Sequence, residues 1–395
     1  MKSRLSVSLV LRWEMKVLFF VNAAWYFDLH WLDRAKSLID EGHEVHVVTS
    51  VTDEAIRESI ESHGITCWSI EIPRFSKNPI LNIKILLAFR QKLKEIKPDL
   101  VHLITIKPIL LGGALLRFTQ IPFVVSFVGL GRMFNNTHRV TDTFLKRTIT
   151  TFYSAILSKN KNTRAIFEHI DDYKTLSQYV DFLDDQVHII DGAGIDIEKY
   201  KYQPEYKDKE LNILFASRML WSKGLGVLVD AVELVKQRGI AVNLKVAGII
   251  DSNDPDKIDA SVISSWNEER KIQWLGTRKD VENLIRDSNL VILPTRYAEG
   301  VPRIILEACS MGRACIVSNV PGCKSVIQDG VNGLVLKTGT ATELADYIEK
   351  LAVNETLRRS YGLISSNIIK QRFAKDIVIE RTIFVYESLL RSHTV

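Results

Sequence analysis

Asn212-Ile213-Leu214-Phe215-Ala216-Ser217-Arg218-Met219-Leu220-Trp221-Ser222-Lys223-Gly224 joins two local patterns. The first half is a short apolar run, which suits a strand of a parallel sheet covered on both faces. The second half is polar, ends in glycine and leads into 226–238, whose apolar spacing predicts a helix. Strand, loop and helix in this order are the repeating unit of an α/β fold. Arg218 and Lys223 stand on the loop, where a sheet's carboxyl edge meets a helix start. Backbone N–H groups and the helix dipole attract anions there. A guanidinium that grips phosphate bidentately, a lysine point charge and Gly224 beside them suit a diphosphate. Without a ligand, the same two cations would be solvated loop charges.

A second block, Glu299-Gly300-Val301-Pro302-Arg303-Ile304-Ile305-Leu306-Glu307-Ala308, follows a predicted strand at 290–294. Gly300 permits close backbone approach. Pro302 fits the first turn of a helix at 304–311, where its missing N–H costs nothing. The amides of Arg303, Ile304 and Ile305 then face outward for an anion. Glu307 has mostly apolar neighbours and therefore requires partners. Sugar hydroxyls would serve, and so would a salt bridge within the protein.

The same alternation runs through most of the chain. Strands are predicted at 17–21, 44–49, 100–104, 123–127, 212–217, 242–248, 272–275, 290–294 and 314–318. Helices are predicted at 29–41, 80–97, 281–287, 341–352, 356–369 and 376–391, the first closed by Gly42. The pattern restarts after a charged, Tyr-rich stretch at 195–209 that contains Pro204. The expected organisation is an N-terminal Rossmann-like domain at 15–195 and a second at 210–375. A C-terminal helix at 376–391 is expected to cross back to the first. Two such domains facing each other would place a ligand in the cleft between them.

At 395 residues, with 46% hydrophobic and 25% charged side chains, the chain has a globular composition. A net charge of +5 is too small for a dedicated nucleic-acid binder and suits an anionic substrate or surface. Cys67, Cys309, Cys315 and Cys323 form no CxxC pair and fit a reducing compartment. The apolar run at 103–130 is interrupted by Lys107, Pro108, Arg117, Gln120 and Pro122, so it is not read as a membrane span. Residues 1–14 are read as an appendage ahead of a first strand opening at Met15, not as a signal peptide.

Taken together, the two blocks resemble the family-four retaining glycosyltransferases of the GT-B fold, most strongly over 212–336. Arg218 and Lys223 match that family's phosphate-binding pair, and Glu299 and Glu307 its Glu-x7-Glu motif. Gly312-Arg313-Ala314, Pro321-Gly322-Cys323, 329–333 and Gly192-Ala193-Gly194-Ile195-Asp196 also resemble family patterns. Gly129-Leu130-Gly131 resembles members that extend undecaprenyl-diphosphate-linked sugars in surface polysaccharide synthesis.

The resemblance implies an α/β chain of two Rossmann-like domains facing across a cleft. Its implied activity is a hexosyl or N-acetylhexosaminyl transfer from a nucleotide-sugar, by family frequency a UDP-sugar, with retention. Arg218, Lys223 and Glu299 would act at the reacting centre. Glu307 would hold the ribose, and Gly224, Gly300, Val301, Arg303 and Ile304 would complete the donor site. Asn22, Trp25, Gly129 and Gly131 are read as acceptor or cleft residues. The nucleotide-sugar is a substrate, so no cofactor is implied, and the two cations make a metal unnecessary. Asp171-Asp172 and Asp184-Asp185 do not form the Asp-x-Asp pair of metal-dependent transferases and are expected to be solvated.

The N-terminal half departs from the pattern. Asn22-Ala23-Ala24-Trp25 replaces a Gly-Gly loop, and Val128 stands where many relatives carry a histidine. His30 and His102 are other histidine candidates. The partners implied are a nucleotide-sugar and a lipid-linked or other glycan, with no nucleic acid. Lys84, Arg90, Lys92, Lys94 and Lys97, mixed with Leu, Ile and Phe89, suit an anionic bilayer or an ordinary solvated face. The implied location is cytoplasmic, peripheral on the inner face of the membrane. Two competing readings are a non-catalytic sugar-nucleotide binder on the same fold and a dinucleotide-dependent oxidoreductase. The latter requires a Gly-x-Gly-x-x-Gly turn that neither 22–24 nor 217–226 supplies.

Overall fold

The computed structural model describes residues 14–73, 78–130, 134, 140–206, 210–251, 254–296 and 300–392. Of the stretch 1–14 read as an appendage, residues 1–13 lie outside them. Thirteen strands are described, and they make two parallel sheets flanked by helices. The first sheet contains β1 (Lys16–Val21), β2 (Glu44–Thr49), β3 (Thr66–Ser69), β4 (Leu100–Ile104), β5 (Phe123–Phe127), β6 (Thr163–Phe167) and β7 (Val187–Ile189). The second contains β8 (Leu211–Ala216), β9 (Val242–Ala247), β10 (Gln273–Trp274), β11 (Leu290–Leu293), β12 (Ala314–Ser318) and β13 (Leu334–Leu336). The α/β expectation holds. The expected strand at 272–275 contracts to the two residues of β10, at an edge where one neighbour supplies all the pairing.

The described residues up to Val125, together with those from Tyr386 onward, form one compact unit. Within it β1 lies between β2 and β4, with Phe19 opposite Val47 and His102. All of β4 is buried, as an interior parallel strand should be. His102 sits among Phe19, Trp31 and Tyr386, and its Nδ1 is 2.6 Å from the Tyr386 hydroxyl. Complete burial pushes its pKa well down, so it is a neutral core histidine. The C-terminal helix Lys375–Arg391 therefore delivers Tyr386 to this core.

One helix predicted here is two. Ala24–His30 and Leu32–Asp40 are separated at Trp31, whose φ of −125° and ψ of −14° leave the helical region. Trp31 is buried edge-on to His102, with the Arg34 guanidinium 4.3 Å from its ring. Packing of the indole competes with helix continuity and wins. Ala24 and Trp25, read as loop, already belong to the first helix.

The helix Pro79–Ile96 is started by Asn78, whose side chain accepts the Ile80 amide, with Pro79 in the first turn. Ile85, Phe89, Leu93 and Ile96 face inward, and Phe89 stacks on Phe20 at 4.1 Å. Ile80, Ile83 and Leu87 face outward with Lys84, Arg90 and Lys94. Lys92 does not join them: its ammonium lies 3.8 Å from the Trp68 ring centre and 2.8 Å from Glu95.

Ser126–Val385 form the second compact unit, which holds β6 paired to β7 and the whole six-stranded sheet. The order there is β10-β9-β8-β11-β12-β13, so β8 and β11 are neighbours at the centre. The stretch leading into β8 is anchored rather than loose. Glu205 is buried and takes the Arg358 Nε on both carboxylate oxygens at 3.0 Å, and Tyr200 packs into the core. Charge pairing of this kind leaves neither buried ion uncompensated.

A candidate donor site at the carboxyl ends of β8 and β11

Adjacency of β8 and β11 brings the two sequence blocks together. After β8 the chain makes a single 3-10 turn, Trp221–Lys223, and then the helix Leu225–Gln237. Gly224 joins them with a φ of +84°, and a Cβ there would lie 2.1 Å from the Pro294 carbonyl oxygen. Only glycine satisfies both demands. The loop after β11 is fastened to the same turn, because the Arg296 amide donates to Ser222 O at 2.7 Å and Thr295 Oγ1 donates to it at 3.2 Å. Lys223 is only 7% exposed, so it is not a solvated loop cation. Arg218 is half-buried and lies 3.3 Å from the carboxylate of Asp254, itself buried.

Beyond the 300–302 turn, the helix Arg303–Ser310 starts with Pro302 as its extended N-cap. Ile305 donates its amide to Pro302 O at 3.1 Å, so it does not face outward as expected. The anion-facing set narrows to Arg303 and Ile304. Glu307, 5% exposed, accepts from Arg303 Nε at 2.8 Å and from the Tyr200 hydroxyl. Burial pushes its carboxyl pKa up, and the Arg303 charge opposes that rise. Burial, then the neighbouring Glu307, likewise raises the Tyr200 phenol. Ser310 Oγ donates to Tyr200 O at 2.7 Å and ties this residue to the same helix.

A third group was not read from the sequence. Glu168 follows β6, and its Oε2 accepts the Val301 amide at 3.0 Å. Next to it, His169 Nε2 lies 3.3 Å from Asp172 Oδ2. Asp172 was expected to be solvated; it is buried instead. Burial, followed by the charge of Glu168, pushes its carboxyl up to about 8. The signal that marks this group is the short apolar run Ala165-Ile166-Phe167 at the end of β6, which places Glu168 and His169 at a strand's carboxyl end. Tyr200 and Asp254 carried no local signal.

Asn22 follows β1 in the first unit, and its side-chain oxygen is buried without a hydrogen-bond partner among the described residues. Trp25 is exposed beside it, edge-on to Tyr26. Gly129 follows β5 with a φ of +101°. Glu299 and Gly131 lie outside the described residues.

Two family models match. "Glycosyl transferase 4-like" covers residues 16–160, and "Glycosyl transferases group 1" covers 196–365. The N,N'-diacetylbacillosaminyl-diphospho-undecaprenol alpha-1,3-N-acetylgalactosaminyltransferase of Campylobacter jejuni is 24% identical over 90% of this chain and 94% of its own. The UDP-Gal:alpha-D-GlcNAc-diphosphoundecaprenol alpha-1,3-galactosyltransferase of Escherichia coli is 25% identical over 67% of this chain and 70% of its own. Among solved structures, Anabaena HepE in complex with UDP and glucose superposes with a TM-score of 0.73 at 19% identity, over 95% of this chain and all of that one.

Proposed function

The chain belongs to the glycosyltransferases of the GT-B fold, and from that premise we propose that it moves a sugar from a UDP-sugar to a lipid-linked glycan with retention at the anomeric carbon. The observation that carries this reading is the joining of the 221–224 turn to the loop after β11. It fastens the turn carrying Lys223 and Gly224 to Pro294, Thr295 and Arg296 at one carboxyl edge, which supports a shared site for Arg218, Lys223 and the start of the 303–310 helix. Departure of a nucleoside diphosphate places negative charge on its phosphates. Fixed cations and oriented amides stabilise that charge most in the transition state. Arg218 and Lys223 take this role, with the Arg303 and Ile304 amides; the close approaches at Gly224 and Gly300 are to Pro294 and to Glu168, so these glycines shape the two turns. Glu299 is assigned to the donor sugar. Glu307, buried beside Arg303 and Tyr200, is assigned to the ribose hydroxyls. The related C. jejuni and E. coli enzymes, by their names, act on undecaprenol-diphosphate-linked sugars, which supports an acceptor of that class.

Such an acceptor sits in a membrane. Among the described residues no helix is long and apolar enough to cross one. The outward face of the 79–96 helix combines Ile80, Ile83 and Leu87 with Lys84, Arg90 and Lys94, and supports docking on an anionic surface.

The test is turnover by purified protein on a panel of nucleotide-sugars with a synthetic polyprenyl-diphosphate sugar, the product anomer being read by NMR. Retained configuration with a UDP-sugar is expected. UDP binding without hydrolysis or transfer on any donor would instead select the non-catalytic reading.

A further inference from the structure

Three segments close on the 300–302 turn, all within the second compact unit. A Cβ built on Gly300 would stand 2.1 Å from Glu168 Oε2 and 2.9 Å from Val128 O. The Val301 side chain lies against Gly192. The turn that starts the 303–310 helix is thus gripped by residues following β5, β6 and β7, strands of the other sheet. The contact from the Val301 amide to Glu168 is a directed polar bond.

We infer that Glu168 is a positioning residue for sugar transfer, holding the 300–302 turn by its Val301 hydrogen bond so that the donor-side helix keeps Arg303 and Glu307 in place. The inference rests on the glycosyltransferase reading. A single amide can be satisfied by any neutral acceptor, whereas here a carboxylate is buried beside a second carboxyl, Asp172. Burying two carboxyls together is unfavourable for the fold alone. What a carboxylate acceptor adds over a neutral one is a stronger hydrogen bond. A turn that shifts by an ångström would misplace every group on the helix behind it, and errors of that size cost about 100-fold in rate.

The experiment compares Glu168→Gln, which keeps an acceptor oxygen, with Glu168→Met, which keeps length and removes it. Glu168→Ala is a third variant. Turnover, donor KM, melting temperature and the stabilisation by UDP are measured for each. Wild-type turnover comes first: its absence would remove the function reading and leave Glu168 unjudged by kinetics. With wild-type turnover in hand, kcat should fall about 10- to 100-fold in Met and Ala. Donor KM and the UDP shift should change little, and Gln, which keeps the acceptor oxygen without the charge, should fall clearly between wild type and Met. Wild-type kcat in Met and Ala would overturn the inference, as would unfolding of both, which would make the bond purely structural. Equal loss in Gln and Met would also overturn it, since the acceptor oxygen would then not be what holds the turn.

Discussion

Glu168 Oε2 accepts the backbone N–H of Val301 at 3.0 Å, across 133 positions of sequence. Gly300, the residue before the bonded amide, has no space for a methyl group on that side. Gly300→Ala must displace either the Glu168 carboxylate or the Val128 carbonyl. Overpacking of this kind costs about 1–3 kcal/mol. The melting temperature should fall, and transfer should fall with it. Removing the carboxylate as well, in Gly300→Ala/Glu168→Ala, relieves the closer contact, so the two effects should be less than additive by about 0.5–3 kcal/mol. Strict additivity in thermal melts would show that the two residues do not share this contact.

Asp172 makes stability depend on pH with a definite sign. Its folded pKa is pushed up to about 8 from the ordinary carboxyl value of 3.8. The neutral form is therefore favoured in the native state, and the stability it contributes is lost as pH rises from about 4 through about 8. The slope approaches about 1.4 kcal/mol per pH unit inside that window. Asp172→Asn cannot ionise. Wild type should therefore lose stability relative to Asp172→Asn between pH 5 and 8, and run parallel to it above about 9. Parallel melting curves from pH 5 to 8 would show that this carboxyl does not titrate there.

Arg218 and Glu307 should separate in kinetics. Arg218 is proposed to face the charge that grows on the leaving diphosphate, so Arg218→Ala should lower kcat by about 10²–10³. The same change removes one partner of the buried Asp254 carboxylate, which the guanidinium approaches at 3.3 Å while the Asp256 amide donates to its other oxygen. Adding Asp254→Asn should restore melting temperature without restoring turnover. Recovery of both together would mean that Arg218 acts only through stability.

Glu307 is assigned to hydroxyls that change little during transfer. Glu307→Ala should raise donor KM more than it lowers kcat, and Glu307→Gln should be milder. Glu307→Ala also leaves Arg303 and Tyr200 without their shared acceptor, so its melting temperature should be lower than that of Gln. Abolished kcat in Glu307→Gln at unchanged donor affinity would place this carboxylate at the reacting sugar instead.

Membrane docking through the 79–96 helix should require both halves of its outward face. Charge reversal at Lys84, Arg90 and Lys94 removes about 1 kcal/mol per residue near an anionic surface. Ile83→Ser/Leu87→Ser removes the apolar contact. Each set should release the protein from anionic vesicles in sedimentation, the first set most at low salt. Lys92→Glu is expected to act chiefly on folding, because that ammonium is committed to Trp68 and Glu95. Equal binding of wild type to neutral and anionic vesicles would remove the electrostatic component.

Much of this architecture was legible before folding was considered. The apolar runs at 17–21, 44–49, 100–104, 123–127 and 314–318 are strands because an interior parallel strand must be apolar on both faces, and that demand is written residue by residue. Gly224 marks a helix start for an equally local reason, a positive φ. Shorter or more polar strands such as β3, β7 and β13 escaped notice, since a run of three or four residues carries little periodicity.

By itself, the sequence determined the α/β alternation, the restart after the 195–209 stretch, and the two blocks that carry Arg218, Lys223 and Glu307. Each is a pattern confined to one turn or one strand. Tertiary structure alone decided that Trp31 breaks a helix to reach His102, and that Lys92 turns to Trp68. It also decided that Glu307 meets Tyr200, that Asp172 is buried, and that Glu168 receives an amide from Val301. The physical reason is common to all five. Whether a polar or aromatic side chain is solvated, paired or buried depends on which distant segment folds over it, and no local pattern encodes that neighbour.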